Sequence, residues 1–183
     1  FDLYDEDSLT LPETPLSDLD DIPSNFLSIN DYVKAPTHDD VLKQGKQRSL
    51  THAYLAAVSF VDHCVGVLIE ALQSSRYADN TLIVLWSDHG WHLGEKQHWG
   101  KRTLWEESTR VPFLIAGPGV EPGIPCPEPA SLLDIYPTLV ELCELPANQY
   151  LEGVSLVPQL NDPTTPRDQP AITSSYFGNH SIR

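Results

Sequence analysis

Apolar positions recur at three- and four-residue steps from about Arg48 to Ser75: Leu50, Tyr54, Ala57, Val58, Val61, Val65, Leu68, Ile69 and Leu72. No proline interrupts them, so the spacing predicts one long helix, amphipathic or largely buried. The period then changes. After a turn at Asp79 and Asn80, residues 81–86 (TLIVLW) form a short continuous apolar run rich in β-formers. Such a run suits a strand covered on both faces, as in a parallel sheet. Residues 111–116 (VPFLIA) repeat the pattern and close on Gly117, Pro118 and Gly119. Helix, strand, loop and strand in that order predict an α/β fold.

Residues 117–129 (GPGVEPGIPCPEP) read as a Pro/Gly loop. Residues 130–145 read as a second helix with Leu132, Leu133, Ile135, Leu139, Val140 and Cys143 inward. Pro137 should kink or split it, because its ring removes a hydrogen bond. Residues 161–170 (NDPTTPRDQP) read as a linker, and residues 171–183 contain no obvious closing element. The opening segment is different in kind. Residues 1–42 hold eleven carboxylates against one base, Lys34, with prolines at 12, 15, 23 and 36. That composition predicts an extended, solvated surface segment. The expected divisions are an acidic segment over 1–47, a central portion over 48–160, and a linker with a lead-in to a further subdomain over 161–183.

The 183 residues suit one domain or part of a larger one. A formal net charge of −15 argues against a nucleic-acid binder and against docking on an anionic membrane. No uninterrupted apolar run approaches the ~18 residues that span a bilayer, so no membrane span is expected. Met is absent and the chain starts at Phe1 without a signal-like segment, which reads as a processed or partial chain. Three cysteines, Cys64, Cys126 and Cys143, are too few for a disulfide scaffold, and Cys143 reads as a small buried hydrophobe.

Candidate chemistry is concentrated in residues 87–110 (SDHGWHLGEKQHWGKRTLWEESTR), directly after the first apolar run. Ligands of open α/β sheets bind beyond the carboxyl ends of strands, which is where Asp88 and His89 stand. A carboxylate and an imidazole can each bind a divalent cation. A zinc site from His89, His92 and His98 is an alternative, although the spacing matches no HExxH helix. A plain strand-end turn capped by Asp88 is the bland alternative. Lys101 and Arg102 are either ordinary surface cations or, in so acidic a chain, a local site for a sulfate or phosphate ester. Trp91 and Trp99 suit either packing or a sugar face.

Residues 87–101 (SDHGWHLGEKQHWGK) and 103–112 (TLWEESTRVP) together resemble the second signature region of formylglycine-dependent sulfatases. The branch is that of the iduronate-2-sulfatase-like and choline-sulfatase-like enzymes. Residues 54–66, 79–86, 133–142 (LDIYPTLVEL) and 152–156 (EGVSL) resemble flanking family segments in the same order. The resemblance implies an alkaline-phosphatase-like sandwich with a mainly parallel central sheet flanked by helices. It implies that Asp88 and His89 are ligands of one divalent cation, most simply Ca2+. It implies that Lys101 contacts the substrate sulfate as the catalytic cation, and that Trp91 and His98 face the substrate.

The family nucleophile, a Cys or Ser in a C-x-P-S-R-like motif converted to formylglycine, is matched by none of Cys64, Cys126 and Cys143. Neither Asp20-Asp21 nor Asp39-Asp40 follows an apolar strand, so the family's other Asp pair is also unmatched. The chain therefore resembles an internal piece of a sulfatase, inactive alone, whose complete form acts on a sulfated sugar or small sulfate ester. A phosphonate or phosphate diester hydrolase of the same superfamily and a non-catalytic partner chain are the alternatives. The family implies a periplasmic, extracellular or lysosomal location. A sheet cut from its neighbours should expose apolar edges.

Overall fold

The computed structural model describes residues 2–27, 36–175 and 178–183. Phe1, residues 28–35 (with Asp31 and Lys34 of the acidic segment) and residues 176–177 lie outside the described residues. Among the described residues the helices are α1 (Ser24–Leu27), α2 (His38–Lys43), α3 (Gln47–Gln73), α4 (Glu106–Thr109), α5 (Ile135–Leu142) and α6 (Val157–Asn161). The strands are β1 (Ile83–Trp86), β2 (His92–Leu93), β3 (Trp99–Gly100), β4 (Phe113–Ala116), β5 (Ile172–Ser174) and β6 (His180–Ile182). The chain divides into two compact units: Phe1–Ala78 with His89–Val111, and Asp79–Asp88 with Pro112–Arg183.

In the first unit, α3 realises the predicted long helix almost residue for residue. Its N-terminal half is tied to the acidic opening segment by polar contacts. The Arg48 guanidinium donates to the carbonyls of Glu6, Asp7 and Leu9 at 2.9, 3.1 and 2.8 Å. His52 Nε2 donates to the Tyr4 carbonyl at 3.1 Å, and the Tyr4 and Ser59 hydroxyls lie 2.6 Å apart. The apolar positions Val58, Phe60, Val61, Val67 and Leu68 stand exposed, and only Thr51 and Ala56 of the helix are buried. By length and composition alone α3 is long and apolar enough to cross a membrane. The count of uninterrupted apolar residues misses this because Asp62, His63 and Glu70 break the run without lowering its mean much.

The buried centre of this unit is polar and aromatic rather than aliphatic. His92 is fully buried and His98 nearly so, their rings meeting edge to face with centroids 5.0 Å apart. Trp99 Nε1 donates to His38 Nδ1 at 3.1 Å, and the two rings stack. Burial pushes the His92 imidazole below its ordinary value. The same cause, followed by repulsion from His92, pushes His98 down to about 4. Both rings are therefore neutral in the folded loop at neutral pH.

In the second unit, β1 pairs with β4 antiparallel, in register from Ile83 opposite Ala116 to Trp86 opposite Phe113. The expectation of a parallel strand covered on both faces is corrected here. All sheets among the described residues are two-stranded and antiparallel, and Leu85, Trp86 and Leu114 are exposed. An apolar run reports that a strand is suited to burial; it carries no information on strand direction. The expected exposure of apolar sheet residues does occur.

The second predicted helix is also revised. It opens as a 3-10 turn, Leu132–Asp134, capped by Ser131, before α5 begins. Pro137 falls in the first turn of α5, where a missing N–H breaks no helical bond, so the proline is accommodated. The buried residues are Asp134 and Thr138, while Leu133 and Cys143 are exposed. Asp134 is 3% exposed. Its carboxylate accepts from the backbone N–H of Ser131 and of Val154, each at 2.8 Å, and from the Arg167 guanidinium at 2.8 Å. Thr138 donates to the Asp134 carbonyl at 2.6 Å and accepts from Leu156 N–H at 2.9 Å. The segment read as a linker thus supplies Arg167, a buried partner. Gly153 lies so close to the Leu133 carbonyl that no Cβ fits there.

Two outcomes follow from these buried groups. Asp134→Ala strands the Arg167 charge in the interior and should lower stability by about 3–5 kcal/mol, read by urea unfolding. An unfolded chain protonates its histidines near 6.5, the folded loop protonates His98 only near 4. The stability from keeping this ring neutral is full above pH ~6.5 and is lost as pH falls toward 4. A His98→Phe variant should flatten that acid limb of the Tm profile.

Candidate functional site

The loop from residue 87 to 110 is closed by a close backbone approach. Gly90 N–H donates to the Ser108 carbonyl at 2.9 Å, and a Cβ at Gly90 would run into the Glu107 carbonyl oxygen. Only glycine admits this contact. β2 and β3 pair His92 with Gly100 and Leu93 with Trp99, folding the loop back on itself. Three non-glycine residues, Lys96, Gln97 and Arg102, adopt left-handed φ values of 53°, 51° and 26°. Such residues persist where surrounding contacts over-determine the backbone. At Lys96 the holding group is Asp18, which accepts from its backbone N–H at 2.9 Å and its Nζ at 2.6 Å. The Lys96 hydrogen bond lowers the Asp18 carboxyl below its usual value, and the same bond raises Lys96.

Lys101, in contrast, meets an imidazole. Its Nζ lies 2.6 Å from His89 Nε2. His89 Nδ1 lies 2.9 Å from the Gly90 carbonyl, which can only accept, so Nδ1 carries the proton. The Nε2 lone pair then receives an N–H from the Lys101 ammonium. Trp91, on the same loop, is 43% exposed, and its ring stacks with Tyr54 of α3 at 6.5 Å between centroids.

Of the residues singled out in the sequence, His89, Trp91 and Lys101 therefore share one corner of the first unit. His98 lies within the buried centre of the loop, with its Nε2 unpartnered. Asp88 is an exposed residue of the second unit, two positions past β1. The zinc triad of His89, His92 and His98 does not form. His92 spends Nδ1 on the Glu95 carbonyl and Nε2 on Thr103, and among the described residues no three His, Cys, Asp or Glu side chains group to hold a metal.

Asp88 carries a carboxylate and His89 an imidazole, donor types that a divalent cation accepts. The Gly90 carbonyl beside Nδ1 fixes the tautomer and makes Nε2 the accepting nitrogen, which faces Lys101. The sequence reading overlooked Asp18, Thr103 and Ser108. A signal existed only for the last two, as small polar residues inside an otherwise aromatic and charged loop.

A family model described as Sulfatase matches residues 22–145. The chain is 42% identical over 183 residues to a sulfatase of Formosa agariphila, covering all of this chain and 36% of that protein. It is 39% identical over 167 residues to the choline-sulfatase of Rhizobium meliloti, covering 88% of this chain and 31% of that protein. Among solved structures it matches the phosphonate monoester hydrolase of Silicibacter pomeroyi (TM-score 0.73, 27% identity, 94% of this chain and 35% of that one). It also matches a protein solved in complex with its substrate D-glucosamine-2-N,6-O-disulfate (TM-score 0.60, 30% identity, 78% and 30%). The chain spans about a third of the length of the curated relatives it matches. On the family match and these relatives, the chain belongs to the sulfatase family.

Proposed function

We propose that the protein to which this chain belongs is a sulfuric ester hydrolase acting on a sulfated carbohydrate, and that residues 87–110 supply part of its site. The observation that carries this reading is the setting of Lys101. In a chain of net charge −15, most paired cations face carboxylates: Lys43 faces Asp39, Lys96 faces Asp18, Arg110 faces Glu106 and Arg167 faces Asp134. Lys101 is half-buried, and among the described residues it meets His89 and no carboxylate. A cation that faces no carboxylate keeps its charge for an anion that arrives from outside.

In this reading Lys101 binds an oxygen of the sulfate ester and opposes the negative charge that builds as the ester bond breaks. An ammonium is a compact point charge suited to that task. Asp88 and His89 hold a divalent cation, most simply Ca2+. When bound, the cation supplies charge that polarises the sulfate oxygens. A cation held at His89 Nε2 would leave the Lys101 ammonium to the ester. Trp91 offers a flat apolar face to a sugar ring, as the disulfated glucosamine bound by one structural relative suggests. His98 acts through the loop it packs. The formylglycine nucleophile, the remaining metal ligands and the mainly parallel central sheet belong to other segments of the polypeptide, which also cover the apolar face of α3. Export to a periplasmic, extracellular or lysosomal compartment goes with this reading.

The test is a pair of assays on the full-length protein, with sulfated monosaccharides and with phosphate diesters and phosphonate monoesters. Sulfate release at a higher kcat/KM supports the reading, and the reverse order transfers the protein to the activity of the Silicibacter pomeroyi relative. Lys101→Ala should lower kcat/KM at least ~100-fold, since a lost transition-state donor commonly costs about 2.7–4 kcal/mol. Undiminished turnover would remove Lys101 from the chemistry. Asp88→Ala should release the cation, and elemental analysis that still finds one equivalent would refute its role as ligand.

A further inference from the structure

We infer that the buried chain His92–Thr103–Ser108 positions the Lys101–His89 pair, so that Thr103 and Ser108 are positioning residues for the reaction proposed above, on which this inference rests. Thr103 stands two residues after Lys101 and is buried. Its Oγ1 lies 2.7 Å from His92 Nε2 and 2.9 Å from Ser108 Oγ. The Trp105 N–H also donates to it, at 3.4 Å. Ser108 makes a second connection from the same residue, because its carbonyl accepts the N–H of Gly90, the neighbour of His89. One buried serine therefore ties down the backbone beside His89 and, through a hydroxyl contact, the backbone just past Lys101.

His92 anchors the other end. It is fully buried, and its Nδ1 lies 3.0 Å from the Glu95 carbonyl, to which it donates. The Thr103 hydroxyl is the hydrogen-bond partner of the ring's other nitrogen, Nε2. None of these three side chains has an exposed role, and each buried polar group depends on the next for its hydrogen bond. Between Lys101 and Thr103 sits Arg102 with φ of 26°, a conformation that a free loop would relax. Anchoring Thr103 opposes that relaxation and fixes the direction in which Lys101 leaves the backbone.

Thr103→Val keeps the shape and removes the hydroxyl. In the full-length protein it should lower kcat for sulfate-ester hydrolysis about 10- to 100-fold, the scale expected for a misplaced catalytic group. Thr103→Ser should restore most of the loss. The readout independent of activity is the 15N signal of His89 Nε2 in histidine-labelled protein stripped of divalent cations, where Lys101 is the donor to that nitrogen. In Thr103→Val it should move toward its position in Lys101→Ala, where the ring has lost its donor. A His89 signal and a kcat both at wild-type values would overturn the inference. So would a moved signal with unchanged kcat, or a loss of activity matched by the unfolded fraction alone. If Thr103→Val does not fold, Ser108→Ala is read by the same two measurements against the same criteria. If Lys101→Ala turns over like wild type, the sulfatase role of Lys101 fails, while the His89 signal still reports whether Thr103 positions the pair.

Discussion

The approach of Gly90 to the carbonyls of Glu107 and Ser108 is the constraint on which the loop depends. Two backbone segments meet there with no side chain between them. That contact sets the distance between the start and the end of the loop. Everything in between must then be accommodated in a short circuit, which is why β2 and β3 are two residues each and why three non-glycine residues take left-handed angles. The interior of such a circuit is too small for an aliphatic core. It is filled by rings whose polar atoms can be matched, namely His92, His98 and Trp99 with His38.

The same circuit sorts the charges. Lys96 and Lys101 are five residues apart and chemically identical, yet they have opposite settings. Lys96 is neutralised by Asp18 from the acidic opening segment, at a bend that the carboxylate also holds through the backbone N–H. Lys101 is left beside the His89 imidazole. The acidic segment is therefore more than solvated surface, since one of its carboxylates shapes the loop and its carbonyls hold Arg48 of α3. The second unit follows a related rule. Its tightest point is a carboxylate, Asp134, with Arg167 and two backbone N–H groups, so a buried charge is tolerated because every facing group is paired.

Periodicity located α3, β1 and β4, because each depends on a local pattern that survives whatever surrounds it. It misjudged what those elements bury. Much of the apolar stripe of α3 and the C-terminal half of β1 are exposed, while the burial in and just before α5 goes to Thr138 and Asp134. A sequence pattern records the surface an element is suited to cover, and among the described residues part of that surface stays exposed.

The sequence alone determined the family, through an ordered set of motifs too specific to arise from composition, and it offered Asp88 and His89 as metal ligands and Lys101, Trp91 and His98 as substrate-facing residues. Only the tertiary structure decided which lysine meets a carboxylate, which histidine meets a lysine and which histidines are sealed inside. Those outcomes depend on contacts between residues as distant as Asp18 and Lys96 or His38 and Trp99. Hydrogen-bond direction and charge pairing act over a few ångströms of space, a separation that spacing along the chain does not encode.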